Sequence, residues 1–189
     1  MRRWAVAGVV VANVVVAGAL AGWAGDRSPR PAVDRPVVGD DRGWADLDAD
    51  SRCRQAAALV TRPDPWPMVC RWRQPGEVVQ GQSFPPPVAD PPYDRPRIEI
   101  YVDPAQSRQA LASVIAHERG HMHLTREPAV AAAWLAARGL PPGTPDTVWV
   151  EDYAEVFATL FGPPSPGWRA ATTRPRADDL PGLRARFFA

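Results

Sequence analysis

Lysine is missing from this chain: all 22 of its basic residues are arginine, among 189 residues in total. With so much alanine, proline, glycine and arginine, this is the signature of a GC-rich bacterial genome, not of a basic surface. The acidic residues number 21 and the formal net charge is +1. The basic stripe that a nucleic-acid partner calls for is absent, so no nucleic acid is expected. Cysteine is almost as scarce, with Cys53 and Cys70 alone. Two cysteines cannot complete a four-cysteine zinc site. In an exported chain they most simply form one disulfide. Internal repeats are lacking, which sets solenoid folds aside. Histidine occurs only three times, and all three fall within residues 117–123.

The one long hydrophobic run lies at the N-terminus. Arg2 and Arg3 are followed by residues 4–24, which are apolar apart from Asn13. That length suits either a bilayer span or a signal peptide ending near Ala19-Leu20-Ala21. Residues 1–25 are therefore expected to be a signal peptide or N-terminal membrane anchor. The positive flank places the remainder outside the cytoplasm, secreted or held at the membrane. Residues 26–43, rich in Pro, Asp and Arg, are expected to be a linker. The folded domain is expected over 44–165, with a Pro- and Arg-rich tail over 166–189 containing a final helical turn.

Within the domain, the pattern predicts an α+β fold. A short helix is expected over 48–61, and strands at Met68–Trp72, 77–84 and Arg97–Val102, the last from the alternation in RIEIYV. Residues 85–96 are Pro-rich loop. Asp103-Pro104 reads as N-cap and first helical residue of a helix over 104–124. Two further helices are expected over 127–138 and from about 144–146 to Phe161, stopped by Gly139 and by Gly162-Pro163-Pro164.

The residues at 117–121 are His-Glu-Arg-Gly-His. Histidines four apart on a helix are rotated by only about 40°, so both rings can reach one metal ion. Glu118 lies on the adjoining side, placed to act as general base towards a water activated by that metal. A catalytic zinc takes three protein ligands and leaves a fourth position for water, so a third ligand is required. His123 points about 200° away from His121 and is expected to face solvent. Glu127 stands where a metzincin would have its third histidine, but Leu124 replaces that pattern's glycine, so Glu127 reads as a helix-start carboxylate. Residues 151–158 (EDYAEVFA) are the best source. Glu151, Asp152 and Glu155 make an acidic stripe on an otherwise apolar helix, and enclosed carboxylates need a cation or donors.

The pair of motifs resembles the gluzincin class of zinc metallopeptidases, in which a glutamate on a later helix completes the site. The run Glu151-x-x-Ala154-Glu155-x-Phe157 is similar to the second motif of small gluzincins, and His-Glu-x-Gly-His is a common form of the first. The resemblance spans residues 97–162. It implies a small zincin-like domain with Zn2+ held by His117, His121 and Glu151. Glu118 becomes general base and acid, and Glu155 an outer residue orienting a ligand histidine. Gly143-Thr144-Pro145-Asp146 also matches the start of the aspzincin motif, which keeps Asp146 open as a ligand beside Glu155. The resemblance further implies that an extended substrate pairs with strand 97–102 by β-augmentation. Tyr101 and Tyr153 are candidate oxyanion donors by residue type. The expected function is an exported or membrane-tethered zinc metallopeptidase, an endopeptidase acting on a protein or peptide. The alternative is a non-catalytic, zinc-stabilised envelope or binding domain with a degenerate site.

Overall fold

The computed structural model describes residues 43–85, 95–124, 128–164 and 168–189. The targeting segment 1–25, residues 26–42 of the linker, most of the loop 85–96 and Glu127 lie outside the described residues. The described chain is mixed α+β, with five α-helices and one three-stranded sheet. In chain order these are α1 (Ala49–Ala57), β1 (Met68–Trp72), β2 (Gly81–Phe84), β3 (Arg97–Val102), α2 (Arg108–His123), α3 (Pro128–Arg138), α4 (Asp146–Phe161) and α5 (Leu180–Phe187). Among the described residues no helix is long and apolar enough to cross a membrane.

α1 begins where Asp48 accepts a hydrogen bond from the Ser51 amide at 2.6 Å, an N-cap that satisfies one orphan donor. It stops at Ala57, short of the expected end at 61, and the Thr61 amide turns to the carbonyl of Phe161 at the end of α4. α2 also starts later than the Asp103-Pro104 signal predicts. Asp103 Oδ1 accepts from the Ala105 amide at 2.9 Å, and its carbonyl accepts from the Gln106 amide at 3.0 Å. This local turn competes with the helix, which begins only after Ser107 caps the Ala110 amide.

The sheet order is β1-β3-β2, with β3 parallel to β1 and antiparallel to β2. β3 is therefore central, and both of its edges are already paired. It cannot receive a peptide strand, so the β-augmentation expected of residues 97–102 is corrected: among the described residues, the outer strands are β1 and β2. β2 is also shorter than expected, because residues 74–77 form a turn in which Glu77 accepts from the Gln74 amide and pairs with Arg71. Alternation sends Ile98, Ile100 and Val102 inward, each at most 1% exposed, while Arg97, Glu99 and Tyr101 lie on the opposite face. The same parity turns Gly81 and Ser83 of β2 towards α2.

α2 lies between the sheet and α4 and is buried along most of its length, from Leu111 to Met122. A disulfide between Cys53 and Cys70 ties α1 to β1. The C-terminal residues, expected to be a tail, carry α5, and Leu183 and Phe188 lie in the same core as Trp134, Tyr153, Phe157 and Phe161. Proline and arginine dominate the composition there, but one leucine and one phenylalanine at buried positions suffice to dock the segment.

Candidate metal centre

At the candidate centre two helices approach closely. A β-carbon built on Gly120 of α2 would lie 2.7 Å from Cα of Ala154 and 3.0 Å from Cβ of Phe157 on α4. Only glycine fits there, opposite one of the smallest side chains. The residue between the motif histidines thus sets the gap across which the histidines and Glu151 meet.

One turn apart on α2, His117 and His121 bring their Nε2 atoms to 3.1 Å. Glu151 on α4 faces both, with Oε2 3.2 Å from His117 Nε2 and Oε1 3.4 Å from His121 Nε2. The three residues form a cluster able to hold a metal ion. The donor set fits a tetrahedral ion: ligands at about 2.0–2.1 Å from zinc stand about 3.3 Å from one another, close to the separations here. The His117 side chain is 7% exposed and that of Glu151 is 25% exposed, so the cluster opens on the Glu151 side. A catalytic centre needs such an opening; a purely structural one is closed.

The electrostatics of the cluster follow from its burial and its charges. Burial alone would depress the His117 imidazole, but hydrogen bonding to Glu151 and Glu155 and the nearby Glu118 charge raise it to about 10. Burial would likewise raise Glu151, yet His117 and His121 hold its carboxyl below the ordinary value. Three carboxylates around one buried imidazole favour positive charge at this point.

Glu155 approaches the other nitrogen of His117, with Oε1 3.0 Å from Nδ1, in a bent contact that leaves Nδ1 without a well-aligned hydrogen bond. It touches the far side of the ring and so does not share the cluster with Glu151. Glu118 is 3% exposed. Its Oε2 accepts from the Ser83 hydroxyl at 2.6 Å, and burial pushes its carboxyl up despite the opposing pull of His117 and Ser83. Arg169 contributes a favourable charge to both Glu118 and Glu151.

Several residues stand elsewhere than expected. His123 is not solvent-facing: Nδ1 lies 2.9 Å from the Tyr153 hydroxyl, and the ring packs near Phe157 and Phe188, where burial lowers its basicity. Tyr153 is engaged there and with the Phe187 carbonyl, on the opposite flank of α2, which removes it as an oxyanion donor. Tyr101 bonds to Gln82 and Glu99 on the outer face of the sheet. Asp146 is exposed and accepts from the Trp149 indole at 2.8 Å, away from the cluster. Asp152 does not share a stripe with Glu151. A step of about 100° along α4 turns it inward. There, fully buried, it accepts from Trp134, Thr172 and both arms of Arg138.

Ser83, Gly81 and the Gly120–Ala154 approach are missing from the sequence reading. Only Gly120 and Ala154 carry a sequence signal, Gly120 as part of a common form of the first motif and Ala154 as a letter of the second; a serine in a short strand carries none. No protein-family model, curated protein or solved structure matches this chain.

Proposed function

We propose that the protein is a zinc metallopeptidase with a zincin-like domain, hydrolysing peptide bonds of a protein or peptide substrate outside the cytoplasm. The observation that carries this reading is the cluster of His117, His121 and Glu151 beside a buried, intact Glu118. Two imidazoles and one carboxylate are a donor set of catalytic zinc sites, and a site that only stabilised a fold would have no use for an acid–base residue alongside. Zinc bound there would acidify water and polarise the scissile carbonyl. Glu118 takes the proton from the attacking water and returns it to the leaving amine. Its raised pKa suits that exchange, since a base must also be willing to hold the proton. Glu155 steadies the His117 ring from behind. The Cys53–Cys70 disulfide is consistent with an oxidising compartment, and the N-terminal apolar segment supplies either an export signal or an anchor.

The test is to purify the full chain, measure its bound zinc, and assay cleavage of a mixed peptide library with and without a chelator. Glu118→Ala should retain zinc and lose cleavage by a factor of about 10²–10⁴, while His117→Ala should lose both. Zinc without chelator-sensitive cleavage would indicate the non-catalytic alternative, and absence of zinc would rule out both.

A further inference from the structure

We propose that β2 is the positioning strand of the site: Ser83 and Gly81 fix the Glu118 carboxylate in one orientation. This inference rests on Glu118 being the acid–base residue of a peptidase. Its basis is the geometry of the two inward-facing residues of β2. The Ser83 hydroxyl lies 2.6 Å from Glu118 Oε2 and 2.9 Å from the Glu118 main-chain carbonyl. One side chain thus holds both the carboxylate and the helix turn that bears it. Two residues earlier, a β-carbon on Gly81 would stand 2.7 Å from Glu118 Cγ and 2.9 Å from Oε1. The glutamate therefore lies against the strand backbone, in the space that any side chain at position 81 would take.

The arrangement is asymmetric in a useful way. Among the described residues, the side-chain hydrogen bond to this carboxylate goes to Oε2, while Oε1 lies against Gly81. The Ser83 hydroxyl has a single proton and two acceptors in range. A general base must sit within hydrogen-bond reach of the proton that it moves, and a 1 Å misplacement is costly. β2 is also bonded to β3 along Gly81–Phe84, which ties the glutamate to the sheet as well as to its own helix.

Three variants test this: Ser83→Ala, Ser83→Thr and Gly81→Ala, each compared with wild type for zinc content, kcat, KM and the crystallographic position of the Glu118 carboxylate. Ser83→Ala is expected to keep full zinc occupancy and KM within about twofold while kcat falls about 10–100-fold, the usual range for an outer positioning residue. Ser83→Thr retains the hydroxyl and should recover most of that loss. Gly81→Ala should displace the carboxylate and lower kcat with zinc retained. Wild-type kcat in Ser83→Ala, or zinc loss parallel to activity loss, would overturn the proposal. If the wild-type protein binds zinc but cleaves nothing, the peptidase reading fails. The positioning claim is then decided by the crystal structures alone, where an unmoved Glu118 in both Ser83→Ala and Gly81→Ala refutes it.

Discussion

Gly120 and Ala154 meet across α2 and α4 so closely that a β-carbon on the glycine would stand 2.7 Å from the alanine Cα. The nearest atoms belong to the Ala154 backbone and the Phe157 Cβ, neither of which can swing aside. Gly120→Ala must therefore push the helices apart. We expect a loss of about 1–3 kcal/mol in chemical denaturation, as for overpacked cores. Zinc affinity should fall with it, because Glu151 rides on α4 and both histidines on α2. An alanine variant with unchanged zinc affinity by calorimetry would show that the helix gap does not govern the centre.

The roles of the acidic residues on α4 separate by substitution. Glu151→Gln should abolish or severely weaken zinc binding. Glu155→Gln, which alters only the contact to His117 Nδ1, should weaken it by about 10–100-fold. Asp146→Asn should leave it unchanged. Metal titration of the three variants decides the assignment, and a Glu155 variant weaker than the Glu151 variant would reverse it.

Asp152 tests a different property. It is buried and paired with Arg138 at 2.8 Å and 3.0 Å. Asp152→Ala leaves Arg138, itself only 8% exposed, without its carboxylate partner and with the Thr173 carbonyl as acceptor. The expected cost is about 3–5 kcal/mol, the range for breaking a buried ion pair from one side. Zinc should still bind whatever fraction remains folded, so thermal stability and metal stoichiometry should diverge in this variant.

On the proposed function, zinc and protons compete for the same imidazole. Without metal, the folded-state pKa of His117 is raised from 6.5 to about 10. The proton's contribution to stability is therefore fully present below about pH 6.5 and lost as pH rises through about 10. The metal-free protein should melt at progressively lower temperature across that window, unless other groups compensate. Apparent zinc affinity should move the opposite way, rising by up to about tenfold per pH unit while one proton is displaced. A pH-independent zinc affinity between pH 7 and 9 would contradict a protonated His117 in the metal-free state.

Opening the Cys53–Cys70 bridge releases a loop with a sequence separation of 17. Cys53→Ala with Cys70→Ala should lower stability by about 2–4 kcal/mol. The bridge joins α1 to β1, whereas the centre lies between α2, α4 and β2, so zinc stoichiometry of the folded protein should not change.

The parts of this protein that are legible in sequence are those whose physics is local. Alternation in RIEIYV marks β3 to the residue, because a strand's two faces repeat every second position and one of them is buried here. The His-Glu-x-x-His spacing places two imidazoles on one helical face by helix geometry alone, and Pro and Gly mark where α3 and α4 end. Nothing local says that β3 is the middle strand, that Asp103 turns the chain before α2 begins, or that Asp152 faces away from its neighbour Glu151. Those depend on which surfaces meet. Likewise His123 is polar and two residues from a cluster histidine, yet aromatic side chains from α4 and the C-terminus enclose it. The sequence by itself determined the two histidines, the glutamate between them and a short set of third partners. Tertiary structure alone decided that Glu151 faces both rings, that Glu155 lies behind one of them, and that a serine from a four-residue strand grips Glu118. The reason is distance: these contacts join residues tens of positions apart, and packing between Gly120 and Ala154, not any periodicity, sets how close they come.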